Sequence, residues 1–154
     1  MKIESYDHID EISRGIVFNG LKSYNEKFAI RNQSDFTISA KDNDLIIGVA
    51  MGESKFDWLI LQYFWIDEKY RGRCLGKTIL NSVENLARNR KLYGIHLETF
   101  EFQARGFYEK SGFSVFGEVE NHPNGYKRYY MKKVLLPIKS AQQGDAPEPA
   151  SPAR

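Results

Sequence analysis

Cysteine occurs once in this chain, at position 74. A single cysteine cannot close an internal disulfide or assemble a structural zinc site with its usual partners, so a reducing cytoplasm is the expected setting. No stretch approaches the roughly 20 consecutive apolar residues of a membrane span. The opening MKIESYDHID lacks the apolar core of a signal peptide. Charge of one sign is scarce as well. The 22 Lys and Arg residues nearly balance 20 Asp and Glu, leaving +2, and the two signs are interspersed, which gives no electrostatic argument for nucleic acid or a membrane surface. The histidines His8, His96 and His122 are scattered and read as surface or packing residues rather than metal ligands. No internal repeat is visible.

What is present suits one domain: 154 residues, 42% hydrophobic, with aromatics at 14%. Nine Tyr and ten Phe fit a strand-rich core or an aromatic-lined pocket. Residues 140–154, SAQQGDAPEPASPAR, have almost nothing to bury and read as a disordered tail or a vector-derived extension, with the folded unit, residues 1–139, ending near Lys139.

Residues 8–29 place Ile9, Ile12, Ile16, Val17, Leu21 and Tyr24 at helical spacing, interrupted by Gly15 and Gly20, which predicts one bent helix or two short ones. DFTISAK and LIIGVAM flank the turn tripeptide DND and predict a hairpin. WLILQYFWI is a continuous apolar run, expected to be a central strand buried on both faces. LGKTILNSVENLARNRK sets Ile79, Leu80, Val83, Leu86 and Ala87 on one helical face. GIHLETF follows as a strand, then QARGFYEKSG as a short helix stopped by Gly112. FSVFGEV and KRYYMKKVL close the domain as strands joined through an Asn-Gly turn. The class is α/β around a mixed sheet.

The loop YRGRCLGK, between strand and helix, is the chemical centre of the sequence. A helix that starts directly after a loop offers unpaired N–H groups and the positive end of its dipole to an anion. Gly72 and Gly76 let the backbone approach such a ligand, while Arg71, Arg73 and Lys77 add positive charge. A plain βα turn with solvated basic residues stays open on this ground alone. Gly76-Lys77-Thr78 lacks the earlier glycine of a P-loop, since position 71 is Arg, and no glycine triplet of a dinucleotide fold opens the helix.

WIDEKYRGRCLGKTIL resembles the acetyl-CoA-binding motif of the GNAT N-acetyltransferase superfamily, Gln/Arg-x-x-Gly-x-Gly/Ala. Arg71 stands at the first position and Gly76 at the last, with Cys74 in place of the middle glycine. Downstream, QARGFYEKSGF resembles the second motif, Ala-x-x-x-Tyr-x-Lys-x-Gly-Phe, in Ala104, Tyr108, Lys110, Gly112 and Phe113. The resemblance spans roughly residues 30–135 and implies a GNAT-like fold, with a mostly antiparallel sheet splayed at the cofactor site and about four flanking helices.

The resemblance further implies acetyl-CoA as co-substrate. Pantetheine would pair with the backbones of Phe64, Trp65 and Ile66, and the diphosphate would sit on the amides of Arg71, Gly72, Arg73, Cys74, Leu75, Gly76 and Lys77. Ala104 and Phe107 would adjoin the cofactor. Cys74 keeps its N–H and is expected to retain binding if its φ is negative; a positive φ would cost about 1 kcal/mol or more. A lowered thiol pKa at Cys74 and a redox role are the lesser alternative to a small residue that fits. Tyr108 takes the place of the general acid, against a purely packing role. Gln62 stands where a basic carboxylate is often found and cannot take a proton; Glu98 is the nearest substitute, with Asp57 and Glu118 behind it, and a plain salt bridge at Glu98 stays open. Glu101 replaces the asparagine that often opens the second motif. Trp58, Tyr63 and Tyr130 offer an aromatic wall for a flat or cationic amine, or core.

The leading expectation is therefore N-acetyl transfer to a primary amine of a small molecule or peptide, in a cytoplasmic enzyme with no metal, nucleic acid or membrane partner. A homodimer is left open. The alternative is a non-catalytic acyl-CoA-binding module, favoured by Gln62 and Cys74. A ribosome or RNA partner, suggested by GYKRYYMKK, is more simply an edge strand.

Overall fold

The computed structural model describes residues 3–28 and 33–136. The end near Lys139 and the tail 140–154 expected from the sequence lie outside the described residues. Helix α1 runs Glu11–Asn25, with Asp10 accepting a 2.8 Å bond from the Ser13 amide as its cap. It is a single helix despite Gly15 and Gly20, each of which costs roughly 1 kcal/mol and is tolerated. Strands β1 (Ser34–Asp42), β2 (Leu45–Lys55) and β3 (Trp58–Ile66) follow as a meander. A 3-10 turn at Glu68–Tyr70 then leads into α2 (Leu75–Asn89), β4 (Gly94–Phe100), α3 (Arg105–Lys110), β5 (Ser114–Val119) and β6 (Arg128–Val134). Among the described residues, three α-helices and this 3-10 turn stand where about four helices were expected.

The six strands form one sheet in the order β1-β2-β3-β4-β6-β5. Every neighbouring pair is antiparallel except β3 and β4, which the crossover through α2 makes parallel. The core lies between the sheet and α2. Ile79, Leu80, Val83 and Ala87 are buried against Phe36, Ala50, Leu59, Ile95 and Met131, and each large side chain removed from water there contributes about 2 kcal/mol. Helix α1 behaves differently: no residue of it is buried, and Ile12, Ile16 and Leu21 stay exposed. Among the described residues no helix is long and apolar enough to cross a membrane.

Two features of β3 place the site. First, its ladder to β4 ends early: Trp58 to Leu61 pair with Gly94 to Leu97, after which the strands diverge. Pairing to β2 meanwhile continues to Ile66. The edge of β3 facing β4 is therefore unpaired along its second half. Second, the register slips between Met51↔Tyr63 and Gly52↔Leu61, so Gln62 is an extra residue. Gly52 permits the bulge, because a Cβ there would run into the Ile60 carbonyl. An inserted residue inverts the side-chain alternation beyond it. Leu59 and Leu61 point into the core; past the bulge it is Phe64 and Ile66 that face the helices, while Tyr63 and Trp65 turn outward. The expectation of a strand buried on both faces is corrected: Tyr63 is 64% exposed and Trp65 48%.

Candidate active site

The divergence of β3 from β4 opens a cleft of about 1060 Å³. The start of α2 lines it, through Cys74, Leu75, Gly76 and Lys77. Thr78 N makes the first bond of that helix, to Cys74 O at 3.0 Å, so the amides of Leu75, Gly76 and Lys77 precede the helical ladder. Cys74 contributes no side-chain cap, and the first turn carries no acidic residue. Donors and dipole are thus left for an outside anion.

The approach to these amides is bent by two residues with positive φ, Gly72 at +74° and Cys74 at +62°. The condition for a cost-free cysteine is not met. Cys74 holds a left-handed conformation, which a glycine would adopt without strain, at a cost of about 1 kcal/mol. The thiol is exposed and free. Gly76 is constrained by packing instead: a Cβ there would touch the Phe107 ring at 3.5 Å and Ile66 Cγ1 at 3.9 Å. Alanine fits at that distance; a larger group does not without displacing Phe107. Arg71 Nε donates to the Ile66 carbonyl at 3.1 Å and ties the loop to the end of β3.

Helix α3 forms the third side. Gln103 shapes the corner before it, its Oε1 accepting from the Phe100 amide at 3.0 Å and from Thr99 Oγ1 at 3.3 Å. Glu101, the departure from the second motif, pairs with Lys127 through backbone and side chain, at 2.9 and 3.1 Å, and anchors the corner to the approach to β6. Phe107 and Tyr108 pack on Phe64 with ring centroids 5.7 and 6.2 Å apart. Tyr108 is only 6% exposed, and burial pushes its phenol up to about 12. The group therefore stays protonated, and able to donate, at any pH near neutrality. Lys133 Nζ donates to Glu84 of α2 at 2.6 Å and to the Ser111 carbonyl that ends α3 at 2.8 Å, which joins the two helices.

The cleft gathers most of the residues singled out from sequence. Phe64, Trp65, Ile66, Arg71, Gly72, Cys74, Leu75, Gly76, Lys77, Ala104, Phe107, Tyr108 and Glu98 all line it. Arg73 does not; its guanidinium sits 5.9 Å from the Tyr70 ring, on the outer side of the loop. Asp57 and Glu118 are also absent from its walls, Glu118 being paired to Lys127 at 2.9 Å. Glu98 projects from β4 and is ion-paired with Arg128 of β6. Trp58 is packed at the far end of β3 against Tyr93 and His96, and Tyr130 lies outside the cleft. His96 is held below its ordinary pKa by burial, which the nearby Glu98 partly opposes. Sequence reasoning missed Phe102, which carries no motif position but sits on the loop between two motif-bearing elements and lines the cleft. Among the described residues, no cluster of three or more His, Cys, Asp or Glu could hold a metal ion.

A strand pair that diverges onto the amino end of a helix is the architecture of an acyltransferase built to hold a long amide-bearing thioester, and the comparisons give that class its name. The sequence model of the acetyltransferase (GNAT) family matches residues 5–113, and the chain belongs to that family. It is 28% identical over 100 residues to a blasticidin-S acetyltransferase of Streptomyces morookaense, covering 64% of this chain and 74% of that protein. A crystal structure of an acetyltransferase from Bacillus cereus ATCC 14579 superposes with a TM-score of 0.79 at 26% identity, over 86% of this chain and 98% of the other. An aminoglycoside 6'-N-acetyltransferase complexed with coenzyme A shares the fold with a TM-score of 0.63 at 16% identity, over 90% and 99% of the two chains.

Proposed function

We propose that this acetyltransferase uses acetyl-CoA to acetylate a primary amine of a small molecule or peptide, by direct attack within a ternary complex. The observation that carries the proposal is the continuity of one cleft from an unpaired strand edge to an uncapped helix start. Both are backbone features, and both suit the cofactor. The edge of β3 that β4 leaves open at Phe64, Trp65 and Ile66, where Arg71 takes only the Ile66 carbonyl, matches the amides of pantetheine, as a missing strand would. The amides of Gly72, Cys74, Leu75, Gly76 and Lys77, with the Arg71 and Lys77 side chains beside them, match the diphosphate. When bound, acetyl-CoA supplies an activated acetyl thioester.

The chain's own residues do the rest. Tyr108 Oη donates a hydrogen bond or a proton to the sulfur as the bond to the acetyl carbon breaks, a role its raised pKa preserves. Glu98 is the one carboxylate lining the cleft among the described residues and takes the proton that an ammonium must lose before it attacks. Arg128 holds that carboxylate in place from β6. The acceptor approaches on the sheet face bearing Tyr63, Trp65 and Glu98, opposite the face filled by α2 and α3.

The relatives support the reading: one is named for blasticidin S and another for aminoglycosides, both small-molecule acceptors. An acetyl-transfer assay over a panel of primary amines tests it, with N-acetyl product and free coenzyme A expected in equal amounts. Tight coenzyme A binding with no product from any amine would overturn it.

A further inference from the structure

The acceptor half of the cleft has a composition unlike its cofactor half. Its cations, Arg71, Lys77 and Lys110, belong to the loop and helices of the cofactor end. Toward the acceptor the walls carry three large aromatic side chains left open to solvent: Tyr63 and Trp65 from β3 and Phe102 from the loop after β4, the last 55% exposed. Glu98 lies on the same wall as Phe102.

Phe102 is not loose on the surface. Its ring stacks on Phe100 with centroids 5.3 Å apart and planes inclined by 9°, and Tyr126 meets it edge-on at 5.0 Å. Phe100 is backed in turn by His122 and by the Arg128 guanidinium. A half-exposed phenyl ring braced this way is a preorganised flat surface, because little rotamer freedom remains to be lost when a ligand covers it. From β3, Tyr63 and Trp65 are turned outward into the same cleft by the bulge at Gln62, at the expense of a regular ladder. Flat aromatic faces from two elements of one cleft, with a carboxylate among the lining residues, select for shape and charge together.

We infer that the acceptor is a primary amine carried on a flat aromatic or heteroaromatic ring, the ring lying against Phe102 and Tyr63 and the ammonium directed to Glu98. This rests on the transferase reading above and names its substrate class. Saturated amines of equal size would fill the same space without a stacking face.

The test uses a matched pair, 2-phenylethylamine and 2-cyclohexylethylamine, which share carbon skeleton and ammonium and differ in planarity. A merely greasy pocket favours the cyclohexyl compound, which is the more apolar. Stacking favours the phenyl compound, by about tenfold in kcat/KM. Phe102→Leu and Tyr63→Leu keep apolar bulk at exposed positions and should bring the ratio close to one while leaving coenzyme A affinity unchanged. Calorimetry of both amines on the coenzyme A-loaded protein runs in parallel. A ratio near or below one in the parent, a ratio that survives in both variants, or no binding of either amine overturns the inference. Selective binding of 2-phenylethylamine without acetyl transfer upholds the ring site and sinks the transferase reading instead.

Discussion

The two ends of the cleft are made of different material. The end proposed for the cofactor is mostly main chain: a strand edge that β4 leaves open, a loop bent at Gly72 and Cys74, and the first amides of α2. The end proposed for the acceptor is side chain: Tyr63, Trp65, Phe102 and Glu98. Backbone recognition depends on conformation and tolerates many residues, provided φ and close approach are respected. Side-chain recognition depends on identity. A substitution at the first end should therefore act through shape, and one at the second through chemistry.

The largest effect expected is at Gly76. Phenylalanine there must displace Phe107 or project into the cleft, and coenzyme A affinity by calorimetry should fall about 100-fold, whereas alanine should cost only a few-fold. Equal affinity in both variants would break the claim that shape governs this end. Tyr108→Phe should lower kcat about 100-fold with the KM for acetyl-CoA nearly unchanged; an unaltered kcat would remove the phenol from the chemistry. The same variant has a pH signature. Burial raises the Tyr108 pKa from 10.0 to about 12, so the folded state holds that proton more tightly than the unfolded one. The resulting stability is complete below pH 10 and is lost as pH rises through about 12, on the order of 2 kcal/mol. Tyr108→Phe should lack that alkaline component in urea titrations.

Smaller effects sharpen the contrast. Glu98→Gln should reduce kcat roughly tenfold near neutrality, with a deficit that shrinks as pH nears the pKa of the amine itself. A deficit constant with pH would remove Glu98 from the proton transfer. Cys74→Gly should be the mildest change, a gain of about 1 kcal/mol in stability with coenzyme A binding kept or improved. A loss of stability there would show that the thiol makes a contribution the left-handed backbone does not account for.

The same division explains what the sequence disclosed. Strand WLILQYFWI, helix LGKTILNSVENLARN and strand GIHLETF were legible because apolar periodicity and glycine placement record backbone geometry directly. The conformational problem at Cys74 was visible too, as a condition on φ that only the structure could decide. The bulge at Gln62 was not visible, since a nine-residue apolar run looks alike whether or not one residue is extra. Without the bulge, the alternation set by Leu59 and Leu61 would turn Tyr63 and Trp65 toward the core; with it they line the cleft. Phe102 stayed hidden for a related reason: it is held on the bend after β4 by stacking on Phe100, two residues before it, and by Tyr126, which is 24 residues away in the chain. Helix α1 was legible as a helix from its spacing, but spacing carries no information about what an apolar face meets, and here it meets no buried partner.

The central claim is that the amides of Gly72, Cys74, Leu75, Gly76 and Lys77 receive the diphosphate. Amide chemical shifts measured with coenzyme A and with pantetheine, which has the same thiol arm but no phosphate, address it most directly. The account predicts that Gly72, Cys74, Leu75, Gly76 and Lys77 move strongly with coenzyme A and stay put with pantetheine. If those amides are unmoved by coenzyme A, the claim is contradicted.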